Sequence, residues 1–303
     1  MTQSLDGGMS VVRRWQLAAA LKLHREQAGF SQEQAIDQLK KLPGNWSRSK
    51  LSRIENREHH TKPREVEQLL DVYGVTDPAT RDELVQLATA SPERGWWDSF
   101  GKPLTDNLRT LVSLESGLVA LRDFQNQLVH GLLQTADYTR AIALSGNATP
   151  LSAAELERGV ARRLARQQII AKNPPPQLHF ILDEAILRRL VGDRIVMHDQ
   201  MRKLVQATEK PNITIQVLPF DVGGNPGLEG PFTILTLPAP MPDIGYTEGR
   251  AGTFFIEDRD RVRDWMLRFG MLTQQALSQE ESAELIAEAM KSYEWPQRPK
   301  EVT

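Results

Sequence analysis

The chain contains no cysteine among its 303 residues. This absence excludes disulfides, thiolate-bound zinc, iron–sulfur clusters and a thiol nucleophile. The sequence also has no long uninterrupted apolar run, so we expect no membrane-spanning helix. Its N-terminus lacks the basic-then-apolar order of a secretory signal. Together these features predict a cytoplasmic protein that needs neither a disulfide framework nor a thiolate-bound metal.

Familiar catalytic motifs are missing as well. There is no G-x-S-x-G and no Walker-type G-K-[ST]. No two histidines stand three or four residues apart, the spacing that pairs metal ligands on a helix. The obvious catalytic candidates are His130, His179, His198, Asp183 and Glu184. Packing explains His179, because it alternates with Phe180 in a predicted strand. We therefore expect no enzymatic activity, no cofactor and no metal.

Charge is unevenly distributed along the chain. The formal net charge is −2, yet residues 11–75 carry +4 and the remainder carries −6. A basic unit joined to an acidic body is the distribution expected of a separate nucleic-acid-binding domain. Chance patchiness is the alternative, so charge alone does not decide the class of protein.

Local signals predict five short helices between residues 13 and 90. Ser31 and Gln34 form a capping box at the start of the second helix. Ser47 can cap the third, and Pro63 suits the first turn of the fourth. Residues 1–12 are predicted to be a disordered tail. The expected N-terminal domain, residues 13–90, is therefore mainly α.

Two blocks of this region resemble a known family. LKLHREQAGFSQEQA (21–35), followed by SRSKLSRIE (47–55), resembles the XRE (lambda-repressor-like) helix-turn-helix family. The resemblance implies a DNA-binding domain whose recognition helix, about residues 47–57, enters the major groove. The chain departs from the family at residues 40–46, which replace a tight turn by a longer one. We expect Trp46 to pack over the core there, while Lys40 and Lys41 are candidates for extra phosphate contacts.

The third helix has the residue types that reading DNA requires. Leu51 and Ile54 are three apart and face the core, so the other side presents short polar and basic side chains. An arginine can donate two hydrogen bonds to guanine, and serines can reach bases or phosphates. The family holds a phosphate at the start of the second helix, where free N–H groups favour an anion. The candidate DNA-binding residues are Gln32, Ser47, Arg48, Ser49, Lys50, Ser52, Arg53 and Arg57.

Two further residues of this region have a different expected role. We expect Arg25 and Glu55 to pair and so tie the first helix to the third. His24 lies on the apolar stripe, where a partly buried histidine is favoured over a ligand. If this region does not bind DNA, the alternative is a helical hairpin whose basic side is simply exposed to solvent.

Residues 91–292 predict a larger α+β domain, followed by a tail at 293–303. Helical patterns cover residues 111–121, 135–144, 153–172, 184–191, 197–209 and 257–277. Strand patterns cover residues 177–182, 212–218 and 232–237, with weaker ones at 244–247 and 253–256. The apolar stripe of 257–277 lies either in the core of its own domain or between subunits.

The second domain also resembles a known family. RGWW (94–97), VHGLLQTADYTRA (129–141), IQVLPF (215–220) and GPFTIL (230–235) resemble the uncharacterised domain that follows the helix-turn-helix in many actinomycete regulators. That family is described as antitoxin-like, and its genes often neighbour one for a small acidic protein. The resemblance implies a regulatory domain and no known chemistry.

Several aromatic and polar residues of this domain could line an effector pocket. The candidates are Trp96, Trp97, Gln134, Tyr138, Tyr246 and Glu248. Alternatively, the tryptophans belong to the core and Glu248 pairs with an arginine such as Arg250.

The expected partner is double-stranded DNA, read by a homodimer, because two-fold operators need two recognition helices about one DNA turn apart. A small-molecule effector is a further candidate partner. Two alternatives remain: an antitoxin-like protein that binds a small neighbour-encoded partner and, less favoured, an enzyme fused to a DNA-binding head.

Overall fold

A computed structural model describes residues 6–89, 105–146, 150–249 and 252–294. The chain divides into two compact units. The N-terminal unit comprises Met1–Leu118 with Leu237–Pro242, and the C-terminal unit comprises Val119–Thr236 with Asp243–Thr303. Within the described ranges, no helix has the length and apolarity needed to cross a membrane.

The N-terminal unit is helical. Up to Thr89 its described residues form the five helices that the sequence predicts, and a sixth helix follows after the gap at 90–104. They are α1 (Asp6–Gln27), α2 (Gln32–Leu39), α3 (Arg48–Glu55), α4 (Pro63–Val72), α5 (Pro78–Thr89) and α6 (Asp106–Ser116).

The prediction of a disordered tail at residues 1–12 is wrong from Asp6 onward, because α1 begins there. The physical reason is a contact that is distant in sequence. Val12 is 1% exposed, and a Cβ added at Gly117 would lie only 2.6 Å from its Cγ1. The turn after α6 therefore contacts the buried Val12 of α1, which the polar and glycine-rich local sequence does not indicate.

Local capping signals start the helices where they were predicted. Ser31 Oγ accepts from the N–H of Gln34 at 3.2 Å, and Gln34 Oε1 accepts from the N–H of Ser31 at 2.8 Å, which completes the capping box. Ser47 Oγ accepts from the N–H of Lys50 at 3.2 Å. Pro63 is the first residue of α4. These caps satisfy N–H groups that would otherwise have no partner at the helix starts.

The C-terminal unit has the predicted α+β class. Its strands are β1 (Ala120–Gln125), β2 (Gln177–Asp183), β3 (Ile213–Leu218), β4 (Phe232–Thr236), β5 (Ile244–Gly249) and β6 (Gly252–Ile256). Its α-helices are α7 (Ala136–Gly146), α8 (Ala153–Arg166), α9 (Glu184–Arg188), α10 (Arg194–Thr208), α11 (Arg259–Gln275) and α12 (Gln279–Ser292). Short 3₁₀ turns lie between several of these elements.

The six strands form one mixed sheet in the order β3-β2-β1-β4-β5-β6. The pairs β1–β2 and β2–β3 are parallel, whereas β1–β4, β4–β5 and β5–β6 are antiparallel. The central strand, β1, was missed: residues 111–121 were predicted to be helical, but α6 ends at Ser116. β1 carries three charged or amide side chains among its six residues, so it lacks the apolar alternation of a strand. Pairing with β2 on one side and with β4 on the other makes this segment a strand instead.

The α11 stripe packs in its own core. Val262, Phe269 and Leu272 are buried in one cluster with strand residues such as Phe124 and Ile181. This placement favours the first of the two alternatives for the stripe, burial in the core of its own domain, and Trp265 and Met266 pack against the same cluster partly buried. Helix α12, which the sequence did not predict, follows directly.

Candidate nucleic-acid interface

The connection between α2 and α3 is long, as predicted, and it is fixed to α4. Residues 40–47 separate the two helices. Trp46 is 6% exposed and lies in the core of the N-terminal unit, which confirms its predicted packing. Its Nε1 donates to Gln68 Oε1 at 3.1 Å, and Gln68 Nε2 donates to the carbonyl of Pro43 at 2.8 Å. Gln68 on α4 therefore holds Pro43 and Trp46 of the connection that leads into α3.

A buried ion pair joins α1 to α3, as predicted. Arg25 Nε and Nη2 donate to the two carboxylate oxygens of Glu55 at 2.6 and 3.0 Å, and Arg25 Nη1 donates to the carbonyl of Phe30 at 2.7 Å. The hydrogen bonds that Arg25 donates to Glu55 are the main cause that raises the pKa of Arg25, although burial opposes this shift. The two residues are 7% and 9% exposed. This pair therefore orients α3 from its buried side.

The exposed side of α3 presents the residues that were predicted to read bases. Arg48, Ser49 and Arg53 are exposed, whereas Ser47 caps the helix. Ser52 is half-buried, and its Oγ accepts from Asn56 Nδ2 at 3.3 Å.

Glu33, at the start of α2, was not predicted to belong to this surface. Its Oε1 lies 3.0 Å from Arg48 Nε, with side-chain exposures of 57% and 71%. The distance in sequence between the two residues hides this pair, because no local spacing rule links them.

The resemblance implies a phosphate contact at Gln32, but here its side chain bridges two helices. Gln32 Nε2 donates to Glu55 Oε2 at 2.8 Å. The same carboxylate therefore receives hydrogen bonds from α1 and from α2. This arrangement gives Gln32 a positioning role at the C-terminal end of α3, where Glu55 lies.

Lys50 is engaged within the protein and does not extend from the exposed side. Its Nζ donates to Glu65 Oε1 at 2.6 Å and lies 4.4 Å from the centre of the Trp46 ring. Only 16% of its side chain is exposed. Burial raises the pKa of Glu65, but the hydrogen bonds from Lys50 and from the backbone N–H of Lys62 outweigh it, so the net pKa is lowered. The charge of Lys50 is thus compensated by an ionised carboxylate.

Arg57 closes the turn after α3. Its φ is +67°, in the left-handed region that glycine adopts most readily. Its guanidinium carbon lies 4.1 Å from the centre of the Trp15 ring on α1. The stacking contact indicates why an arginine stays at a position that favours glycine.

Two members of the predicted effector pocket lie in the core of the C-terminal unit. Gln134 and Tyr138 are 2% and 0% exposed. Gln134 Nε2 donates to the carbonyl of Val129 at 2.6 Å, and its Oε1 accepts from Arg163 Nη1 at 2.9 Å. The hydroxyl of Tyr138 accepts from the N–H of Val129 at 3.4 Å. Both side chains therefore hold the segment after β1 rather than line an open pocket.

The other described members lie on β5. The hydroxyl of Tyr246 donates to Glu248 Oε2 at 2.7 Å. Tyr246 is in register with Thr233 of β4, whose hydroxyl donates to Asp123 Oδ1 at 2.6 Å. Trp96, Trp97 and Arg250 lie outside the described residues. The pocket candidates that the structure describes thus form two local groups, one at Val129 and one on β5.

The two histidines with the strongest catalytic interest are packed. His130 Nδ1 accepts from the N–H of Leu132 at 3.2 Å, and its ring centre lies 5.3 Å from that of Phe180. Burial, followed by the charges of Arg166 and Arg163, lowers the pKa of His130 to about 3. His179 Nε2 lies 2.8 Å from Gln216 Oε1. Among the residues that the structure describes, no cluster of three or more His, Asp or Glu side chains could hold a metal ion.

Comparison with known families agrees with this geometry. Residues 16–84 match a helix-turn-helix domain, so the protein is a helix-turn-helix DNA-binding protein. Residues 108–288 match a domain of unknown function, DUF5753, and because this match spans more than half of the chain, the chain belongs to that family. No curated protein and no solved structure is detectably similar to it.

Proposed function

We propose that the protein is a sequence-specific transcriptional regulator of the XRE type that reads DNA with α3 in the major groove. The observation that carries this proposal is the two-sided character of α3. Its buried side is fixed by the Arg25–Glu55 pair and by Leu51 and Ile54, and its other side exposes Arg48, Ser49 and Arg53. A rigid helix with exposed arginine and serine side chains has the shape and donors that a major groove accepts.

Within this proposal the predicted DNA-binding residues have different roles. Arg48, Ser49 and Arg53 contact bases, with Ser47 and Ser52 at the edge of the contact. Lys40 and Lys41, both exposed on the long turn, contact phosphates. Gln32, Lys50 and Arg57 position α3 and the adjoining turns, because their side chains contact Glu55, Glu65 and Trp15 of the same unit. Arg48 also has a partner, Glu33, but both of these side chains are exposed.

The DUF5753 domain supplies dimerisation, effector sensing or both. A homodimer would place two copies of α3 on a two-fold operator, which is the usual way in which helix-turn-helix proteins gain affinity and site length. The proposal places the protein in the cytoplasm, where its DNA is, and assigns it no catalytic activity.

The direct test is selection of preferred sites from a random DNA library with the full chain, followed by binding titrations of two variants. Arg48→Ala should relax the preference at one base pair of the half-site, a loss of about 1–3 kcal/mol of discrimination. Lys41→Gln should weaken binding to all sequences alike and flatten the salt dependence by about one unit of slope. A full chain that enriches no sequence at low salt would contradict the proposal.

The antitoxin-like resemblance of the second domain supports a second candidate function, binding of a small protein encoded by a neighbouring gene. Co-expression with that gene product, followed by purification of the tagged chain, tests it. A stoichiometric complex that loses DNA binding would favour this candidate. DNA binding that is unaffected by the neighbour would favour the regulator acting alone.

A further inference from the structure

The long connection between α2 and α3 forms one wall of a pocket in the N-terminal unit. The cavity has a volume of about 320 Å³ and lies between residues 43–46 of this connection and residues 62–68 at the start of α4. Small-molecule sites in proteins occupy roughly 300–1,000 Å³, so this cavity is large enough for a small ligand. We call it the turn pocket.

The two walls of the turn pocket are fixed to each other. Gln68 Oε1 accepts from Trp46 Nε1 at 3.1 Å, and Gln68 Nε2 donates to the carbonyl of Pro43 at 2.8 Å. Lys50 Nζ donates to Glu65 Oε1 at 2.6 Å, and each of these two side chains is only 16% exposed. A ligand therefore meets walls that are already in place, which lowers the entropy cost of binding.

The lining of the turn pocket has an excess of positive charge. Its charged residues are Lys50, Lys62, Arg64 and Glu65, which together carry +2. Lys50 and Glu65 compensate each other as a pair. Lys62 and Arg64 are exposed, and in the described part of the chain no carboxylate forms an ion pair with either. The two charges available to a ligand are therefore those of Lys62 and Arg64.

These donors suit a phosphate monoester. The guanidinium of Arg64 can donate two parallel hydrogen bonds to phosphate oxygens, and the ammonium of Lys62 adds a compact charge. Asn45 contributes an amide side chain from the opposite wall. A phosphate monoester carries about −1.5 to −2 charges at neutral pH, which matches the excess of the lining. A phosphate of the DNA backbone is a diester with a single negative charge, and it would leave one cation uncompensated.

We propose that the turn pocket binds a small molecule through a phosphate monoester group. Lys62 and Arg64 hold the phosphate, and the rest of the molecule fills the space beside Pro43 and Asn45. This site lies in the helix-turn-helix unit, whereas the proposed function assigns effector sensing to the DUF5753 domain. Its existence does not depend on that function.

An NMR titration of the full chain without DNA tests this site. The probes are inorganic phosphate and glycerol 3-phosphate, with the ionic strength kept constant by sodium chloride. The indole N–H signal of Trp46 is the reporter, because this side chain lines the pocket. Both probes should shift this signal to saturation.

A double variant tests the two cations. Lys62→Gln combined with Arg64→Gln should weaken the binding of both probes by about tenfold or more, because the phosphate loses its charge-assisted hydrogen bonds. Both side chains are exposed, so the Trp46 signal of the variant without ligand should stay in place. Lys210→Gln combined with Arg263→Gln is the matched control, since it removes the same charge from exposed positions of the C-terminal unit. The control should keep both affinities.

Three results would overturn the proposal: no saturable shift with either probe, equal affinity in the pocket variant and the unaltered chain, or an equal loss of affinity in the control. If neither probe binds and the pocket variant weakens binding to every DNA sequence alike, the pocket instead holds the DNA backbone. That outcome leaves the proposed DNA binding standing, because base preference is measured separately. A chain that binds both probes but enriches no DNA sequence would contradict the proposed function alone.

Discussion

Removal of one charge from the buried pair beneath α3 should loosen the proposed recognition helix. In Glu55→Gln the side-chain volume is kept, but the Arg25 guanidinium, at 7% exposure, loses its buried counter-ion and keeps Glu26, whose Oε1 lies 3.5 Å from Arg25 Nη2 and whose side chain is 49% exposed. Loss of one partner of a buried ion pair destabilises by about 3–5 kcal/mol, and we expect the low end of this range because Glu26 remains. The acceptor of the Gln32 hydrogen bond is also no longer charged in this variant, so α1, α2 and α3 should all lose stability.

Backbone hydrogen exchange in the full chain is the appropriate assay, because two units need not unfold in a single transition. The amides of Arg48–Glu55 should exchange faster by a factor that corresponds to that free energy. The double variant Arg25→Met with Glu55→Leu should recover much of the protection, since apolar residues often replace a buried pair without loss.

The Arg140–Glu157 pair is the matched control. It has the same two-bond geometry, at 2.8 and 3.0 Å, but its side chains are 32% and 57% exposed. Glu157→Gln should leave the protection of α8 unchanged, because exposed ion pairs contribute little. If the amides of α3 are protected from exchange in Glu55→Gln as well as in the unaltered chain, the Arg25–Glu55 pair does not hold the helix.

Three further predictions follow from single residues. Arg57→Ala should lower the thermal stability more than Arg57→Gly, by about 1 kcal/mol, because both lose the Trp15 contact but only glycine relieves the left-handed backbone; equal melting temperatures would contradict this. Glu33→Gln should change base preference at the position that Arg48 reads without shifting the melting temperature, whereas a uniform gain of affinity at all sites would show that Glu33 merely repels phosphates. His130 is held neutral when folded, with a pKa of about 3 against 6.5 when unfolded, so its contribution to stability is present above pH 6.5 and is lost as the pH falls toward 3. His130→Gln should flatten the urea midpoint across that range, and an unchanged pH profile would refute the assignment.

Helix starts were predictable because their signals are local. Ser31, Ser47 and Pro63 each act on N–H groups within a few residues, so the sequence order alone identifies them. β1 was not predictable, because its charged and amide side chains break the alternation and its position depends on β2 and β4. The first residues of α1 were missed for a related reason, since Val12 is buried by Gly117, far along the chain.

The candidate site shows the same division. The periodicity of Leu51 and Ile54 correctly identified which side of α3 is exposed, and hence Arg48 and Arg53. It did not show that Lys50 is paired with Glu65 or that Gln32 is bonded to Glu55, because those partners lie 15 and 23 residues away. The sequence therefore identified the basic side chains of the helix, but it did not show which of them are already paired within the protein.

The central claim is that the exposed side of α3 reads the DNA sequence. The most direct measurement is the full base-preference profile of the chain, compared with that of a variant carrying Arg48→Ala, Ser49→Ala and Arg53→Ala. Substitution of Lys210 and Arg263, exposed cations of the C-terminal unit, provides the control. We expect the triple variant to lose its base preference and to keep only weak, salt-sensitive binding, while the control keeps the original profile. A triple variant with an unchanged profile would show that another surface reads the DNA.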